Sequence, residues 1–190
     1  MFLRSRPTPE QIRVFLDESA SQPLSYGPVG LVERGARGFE IDELSETIGR
    51  GHDLFRRARA ALRDWRHLEL GWVELWPAAG ALVQPGTVVA VLVRHLGFWS
   101  LNGCRVVYVS DDEQGAESFG FAYGTLANHA EVGEELFEVT FDPETEQVRY
   151  RIRAVSKPRA LAARLGYPFS RSLQARFRRD SLAALKRSLI

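Results

Sequence analysis

Four ionisable side chains fall within seven residues: His129, Glu131, Glu134 and Glu135. An imidazole beside carboxylates can serve as base and acid, or hold a metal ion, where the groups converge on one cavity. Side chains at i and i+2 of a strand share a face, whereas those at i and i+1 do not. His129, Glu131 and Glu135 therefore align only in a segment extended throughout, and Gly133 points to a turn or bulge there. The alternative is a polar hairpin connection in which Glu134 or Glu135 pairs with a helical arginine. Tyr123, shortly upstream, carries a hydroxyl that needs a partner when buried and would orient a ligand. His129, Glu131 and Tyr123 are thus the candidates for acid–base work.

Other residues carry fainter signals. Trp65-Arg66-His67 closes a helical pattern. Either Trp65 walls a cavity with His67 as a polar anchor, or Trp65 is core and His67 a favourable charge on the helix C-terminus. His52 sits at a helix start, as an N-cap or an exposed residue. Cys104, the only cysteine, follows Asn102-Gly103, which reads as a turn, and packs as a small hydrophobe. His95 is the one base placed to activate it, across a hairpin. A single thiol excludes an internal disulfide and any zinc site drawing two thiolates from one chain. The glycines at 27, 30, 35, 38, 49 and 51 form neither a GxGxxG nor a Walker loop, and no G-x-S-x-G or HExxH occurs. Asp42, Glu43 and Glu46 lack metal-loop spacing and read as solvated. No cofactor and no resident metal are expected.

These groups need elements to position them. Thr8-Pro9-Glu10-Gln11 is a helix start with a capping box, and Ile12, Phe15, Leu16 and Ala20 follow at helical spacing. Residues 38–47 look extended. Phe39 and Ile41 share one face there, and the break at Asp42-Glu43 suggests a bulge. A second helix spans His52 to Arg66, with Leu54, Phe55, Ala58, Ala61, Leu62 and Trp65 as its apolar stripe. Six strands follow, predicted at 71–76, 87–95, 99–109, 118–127, 134–141 and 147–155. Val88–Val93 is apolar on both faces, so it is central or covered outside. The turn at 142–146 makes the last two strands a hairpin, with Phe141 opposite Val148 and Glu138 opposite Arg151. From Pro158 the chain is helical in two parts broken near Gly166-Tyr167-Pro168. The second part presents Leu173, Phe177, Leu182, Leu185 and Leu189.

Strands followed by a long amphipathic helix mean an α+β fold, and a curved antiparallel sheet wrapped around that helix buries one face of each. Phe119, Phe121 and Tyr123 share a strand face, which Tyr150 and Tyr108 would join. With Trp65, Phe137 and Phe177 they are the candidates to line a cavity, or else to fill a solid core.

The 190 residues suit one domain spanning 1–190, with 45% apolar and 26% charged side chains and a net charge of +1. That balance excludes wholesale disorder and a polycation built for nucleic acid. The near-neutral sum hides an asymmetry. Residues 110–150 hold eleven acids against one base, and residues 151–190 eleven bases against one acid. The two segments either pack together or leave a basic face for an anionic partner. The N-terminal residues form no signal peptide and no window suits a transmembrane span, so a cytoplasmic location is expected.

Two stretches carry a resemblance. One is Gly51-x3-Phe55-x2-Ala58-x3-Leu62-x2-Trp65. The other is Gly124-Thr-Leu-x2-His129-x-Glu131-x-Gly133-Glu-Glu135-x-Phe137, followed by Ser156-Lys-Pro158 and Leu165-Gly-Tyr-Pro168. Together, and with Arg6-Pro7 and Tyr26-Gly27-Pro28-Val29-Gly30, they resemble the domain of unknown function family 1990, also called uncharacterised protein family 0548. The resemblance implies the helix-grip fold of the START and birch-pollen-allergen superfamily (SRPBCC). It further implies an apolar or amphipathic small molecule, of lipid, isoprenoid or polyketide class, held between sheet and C-terminal helix. A cavity enzyme of cyclase or hydrolase type is the alternative. A third reading is an interaction protein that forms a homodimer through strand 88–93 or the basic C-terminal segment.

Overall fold

Period-two alternation along the chain becomes an antiparallel sheet. Its strands are β1 (Phe2–Leu3), β2 (Glu40–Arg50), β3 (Val73–Trp76), β4 (Val88–Arg94), β5 (Trp99–Asp112), β6 (Ser118–Thr125), β7 (Glu131–Phe141) and β8 (Gln147–Pro158). They run in the order β2-β8-β7-β6-β5-β4-β3, with β1 beside the start of β5. The helices are α1 (Pro9–Ala20), α2 (Leu31–Arg34), α3 (His52–Arg63) and α4 (Tyr167–Ser188), with a 3-10 turn at Arg66–Leu68. The computed structural model describes residues 1–77, 80–112, 117–159 and 167–190. Among them no helix is long and apolar enough to cross a membrane.

The sheet buries both faces. Its inner face packs on α3, the 3-10 turn and α4, whose Leu182 and Leu185 are buried, as is Leu189 just beyond it, and whose Leu173 and Phe177 lean on the same core. On the outer face α1 sets Ile12 and Phe15 against Ala90, Leu92 and Leu101. Beside it α2 sets Leu31 and Val32 against Ala122, Leu136 and Val155. This explains the doubly apolar strand: Val89 and Val91 face the inner core while Ala90 and Leu92 lie under α1. Thr8 caps α1 as its spacing predicted, exchanging bonds of 3.2 and 2.9 Å with Gln11. An α+β sheet closing its inner face on the C-terminal helix is the helix-grip arrangement.

The β7–β8 hairpin has the expected register, Phe141 opposite Val148 and Glu138 opposite Arg151. Four expectations need correction. Gly133 is no turn: β7 runs straight through it, and a Cβ there would collide with the Val155 carbonyl and stand 2.7 Å from Ser156 Cα. The residue is glycine because β8 comes too close for anything larger. Asn102-Gly103 likewise lies inside β5, paired with β4. No bulge occurs at Asp42-Glu43, which pair in step with β8; the register shifts later, between Thr47 and Gly49. The pattern broke at Asp42 because an acid occupies an inward position. Finally, β8 extends to Pro158, so no helix starts there. The expected first helical part falls largely outside the described residues.

Of the acids at 42, 43 and 46, Glu43 and Glu46 are exposed as expected, whereas Asp42 is buried, and all three are paired. Asp42 pairs with Arg171 and Arg178, Glu43 with Arg151 and Arg153, and Glu46 with Lys186. The basic C-terminal segment is therefore neutralised largely by β2. Of the 110–150 acids, Asp111 instead pairs with Arg59 and Arg63 of α3.

Candidate functional site

A cavity of about 630 Å³ lies between the inner face of the sheet and α4. Val73, Val91, Val93, Leu173 and Phe177 supply apolar wall, and Met1 and Phe2 border it where β1 meets β5.

Cross-strand pairing sets its polar floor. Tyr123 lies opposite Glu135, Glu135 opposite Ala154, and Ala154 opposite Asp42. Residues paired this way project from one face about 5 Å apart, so the four form a row beneath α4. The Tyr123 hydroxyl donates to Glu135 Oε2 at 2.7 Å. Burial pushes the Glu135 carboxyl up to about 7 against the opposing pull of that hydrogen bond. Burial, then the neighbouring Glu135 charge, raises the Tyr123 phenol, which stays protonated. Asp42, only 5% exposed, ends the row and receives Arg171 and Arg178 from α4, the latter at 3.0 Å. Between the two acids Ala154 leaves a gap.

A second polar group lies further along β7. Glu131 accepts from Gln174 Nε2 at 3.0 Å and from Ser156 Oγ at 3.2 Å. His129 Nδ1 lies 2.9 Å from the Glu131 backbone nitrogen and 3.2 Å from the Glu131 carbonyl oxygen. Burial holds the His129 imidazole down at about 4, so it is neutral at pH 7. His129, Glu131, Tyr123 and Glu135 all border the cavity. Their side-chain bonds fall into three sets, however: His129 to backbone, Glu131 to Gln174 and Ser156, Tyr123 to Glu135. Among the described residues no three His, Cys, Asp or Glu side chains gather as a metal site.

Of the eight residues expected at a cavity wall, Tyr123 and Phe177 border this one. Trp65, Phe119, Phe121, Phe137 and Tyr150 pack inside the solid inner core instead. Trp65 donates its Nε1–H to Ala81 O at 2.8 Å, and the Tyr150 hydroxyl pairs with Ser181 at 3.0 Å. Tyr108 lies on the outer face with the α2 cluster, because β5 shifts register between Val106 and Tyr108. Glu134 also points outward, where it accepts from the Tyr26 hydroxyl at 2.7 Å and Gly30 N–H at 3.0 Å. Among the described residues it pairs with no helical arginine; it ties down the loop before α2. His52 opens α3 behind the Gly51 N-cap and meets Glu117 at 2.6 Å. Cys104 is buried, its thiol pushed up by desolvation, and His95 bonds Ser100 Oγ at 2.8 Å. Gln174 and Arg178 escaped sequence reading. They sit one residue past Leu173 and Phe177, at the same helical spacing, and so reach the same cavity.

His67 is no exposed charge at a helix end. It is fully buried against Phe137, ring centroids 4.4 Å apart, and neither ring nitrogen has a hydrogen-bond partner among the described residues. Burial lowers its pKa to about 3. Between that value and the ordinary 6.5 the unfolded chain takes up a proton that the folded chain refuses. Its contribution is therefore intact above the unfolded pKa and lost as pH falls toward the folded one. His67→Leu is expected to stabilise the protein by about 1 kcal/mol at pH 7, since an orphaned polar group becomes apolar. In urea unfolding the gap between variant and parent should widen by about 2 kcal/mol at pH 5. A constant gap would mean that the folded imidazole takes up its proton at the same pKa as in the unfolded chain.

The family model described as Domain of unknown function (DUF1990) matches residues 25–184. The UPF0548 protein of Dictyostelium discoideum is 29% identical over 200 residues, covering 95% of this chain and 92% of its own. That of Deinococcus radiodurans is 36% identical over 150 residues, covering 72% and 73%. Among solved structures, the hypothetical protein jhp0584 from Helicobacter pylori aligns with a TM-score of 0.54 at 12% identity, covering 87% of this chain and 95% of its own. At that identity the likeness is one of fold.

Proposed function

The chain belongs to the DUF1990 family, the UPF0548 proteins, and on that footing we propose that it binds an apolar or amphipathic small molecule between sheet and C-terminal helix. The observation that carries this reading is the cavity of about 630 Å³. Ligand sites commonly enclose about 300–1,000 Å³, with mostly apolar walls and a few placed polar groups. Here valines, Leu173 and Phe177 supply the walls, while Tyr123, Glu135, His129 and Glu131 supply the polar groups. A lipid, isoprenoid or polyketide has the matching character. The wall has apolar residues on the sheet and on α4 alike, so a bound chain would touch both and tie the helix down.

Titration with the neutral fluorophore N-phenyl-1-naphthylamine tests this. Saturable uptake of one probe per chain is expected, with its emission shifted to the blue as it leaves water. Fluorescence that rises without saturating, on protein whose fold is intact, would refute the proposal.

A further inference from the structure

Glu135 is the polar group whose chemistry the fold leaves half used. Its Oε2 accepts from Tyr123, and among the described residues that is its one hydrogen-bond partner. The other acids at this depth are occupied. Asp42 is held by Arg171 and Arg178, and Glu131 by Gln174 and Ser156. Arg178, which also borders the cavity, is turned to Asp42. Met1 and Arg159 also border the cavity, but their cationic groups bond to the carbonyls of Leu101 and Ala127. Glu135 therefore presents an unfilled carboxyl oxygen to a space large enough for a ligand, beside a phenol already committed as donor.

Glu135 is part-buried and lines the cavity, so a ligand could reach its second carboxyl oxygen, and the strongest hydrogen bonds join a donor to a charged partner. Resting on the cavity reading above, we propose that Glu135 is the anchor for the head of the ligand, and that this head is a hydrogen-bond donor, a hydroxyl or an amine. An anionic head placed there would meet the carboxyls of Glu135 and Glu131, with Arg178 already paired to Asp42. A wholly apolar molecule would leave the carboxyl oxygen unmatched. The ligand class is thus narrowed from amphipathic molecules in general to long-chain or polycyclic alcohols and amines. A carboxyl that ionises near neutrality suits both, accepting from a hydroxyl in either state and holding an ammonium when ionised.

Displacement of N-phenyl-1-naphthylamine by dodecanol, dodecylamine, dodecanoate and dodecane tests the proposal, since the four differ only in the head. Dodecanol and dodecylamine should bind about ten- to a hundredfold tighter than dodecane and dodecanoate, the range that one hydrogen bond to a charged group supports. Glu135→Gln keeps the shape and the bond from Tyr123 but cannot hold an ammonium. It should weaken dodecylamine about tenfold or more and leave dodecane unchanged. Glu135→Leu should bring all four to the level of dodecane. Equal affinity for the four, or variants that alter no ranking, would overturn the head-group assignment while leaving the cavity reading intact. Failure of every compound and of the fluorophore to bind would refute both.

Discussion

Asp42→Ala is expected to cost about 3 kcal/mol or more in chemical unfolding, the largest stability effect among single changes near the cavity. Asp42 is 5% exposed, and it is the acid that receives both Arg171 and Arg178. Removing it takes from Arg178, whose side chain is only 14% exposed, the carboxylate it pairs with, and desolvated charge without a partner is among the costliest defects a fold can carry. The effect should be local before it is global. Backbone amides of α4 should exchange with solvent faster than those of β5 and β6, because α4 loses its buried tie to β2. Glu46→Ala is the contrast. Its pair with Lys186 is exposed, with side chains 50% and 40% accessible, and its loss should cost less than about 1 kcal/mol. Equal costs for the two variants would show that Asp42 is not the tie described.

Ala154→Phe should abolish uptake of an apolar ligand while leaving the fold standing. Ala154 lies between Glu135 and Asp42 on the inner face and borders the cavity. A phenyl ring there projects into empty space, so no buried side chain need be displaced, and added apolar contact makes overpacking strain smaller than in a filled core. Affinity for N-phenyl-1-naphthylamine should fall at least about a hundredfold, since a ring and a ligand cannot share that volume. Unchanged affinity with an unchanged unfolding midpoint would place the ligand elsewhere.

The architecture was readable because the elements have strong periodicity. The β7–β8 hairpin could be aligned residue by residue from its alternation and its turn. That same register places Glu135 opposite Ala154, so half of the polar row was within reach of the sequence. Gly133 hid it. A glycine required by close strand packing has the same letter as one required by a turn, and only the position of Ser156 tells them apart. Asp42 was hidden for a related reason. Acids are rarely buried without a partner, and its partners lie about 130 residues away on α4, beyond any local pattern. The aromatic residues were the hardest to assign. Alternation separates the inner from the outer face, yet Phe119 and Phe137 share the inner face with Tyr123 while lying in solid core. Where α4 stands off the sheet is a matter of tertiary packing. Tyr108 changed faces because β5 slips register one step earlier, which its sequence does not announce.

The most direct test of the account is organic extraction of the purified protein followed by mass spectrometry, with Ala154→Phe prepared in parallel from the same host. A cavity that holds an apolar or amphipathic molecule predicts a compound present at about one equivalent per chain in the parent and absent from the variant. Identical extracts from the two proteins would contradict it.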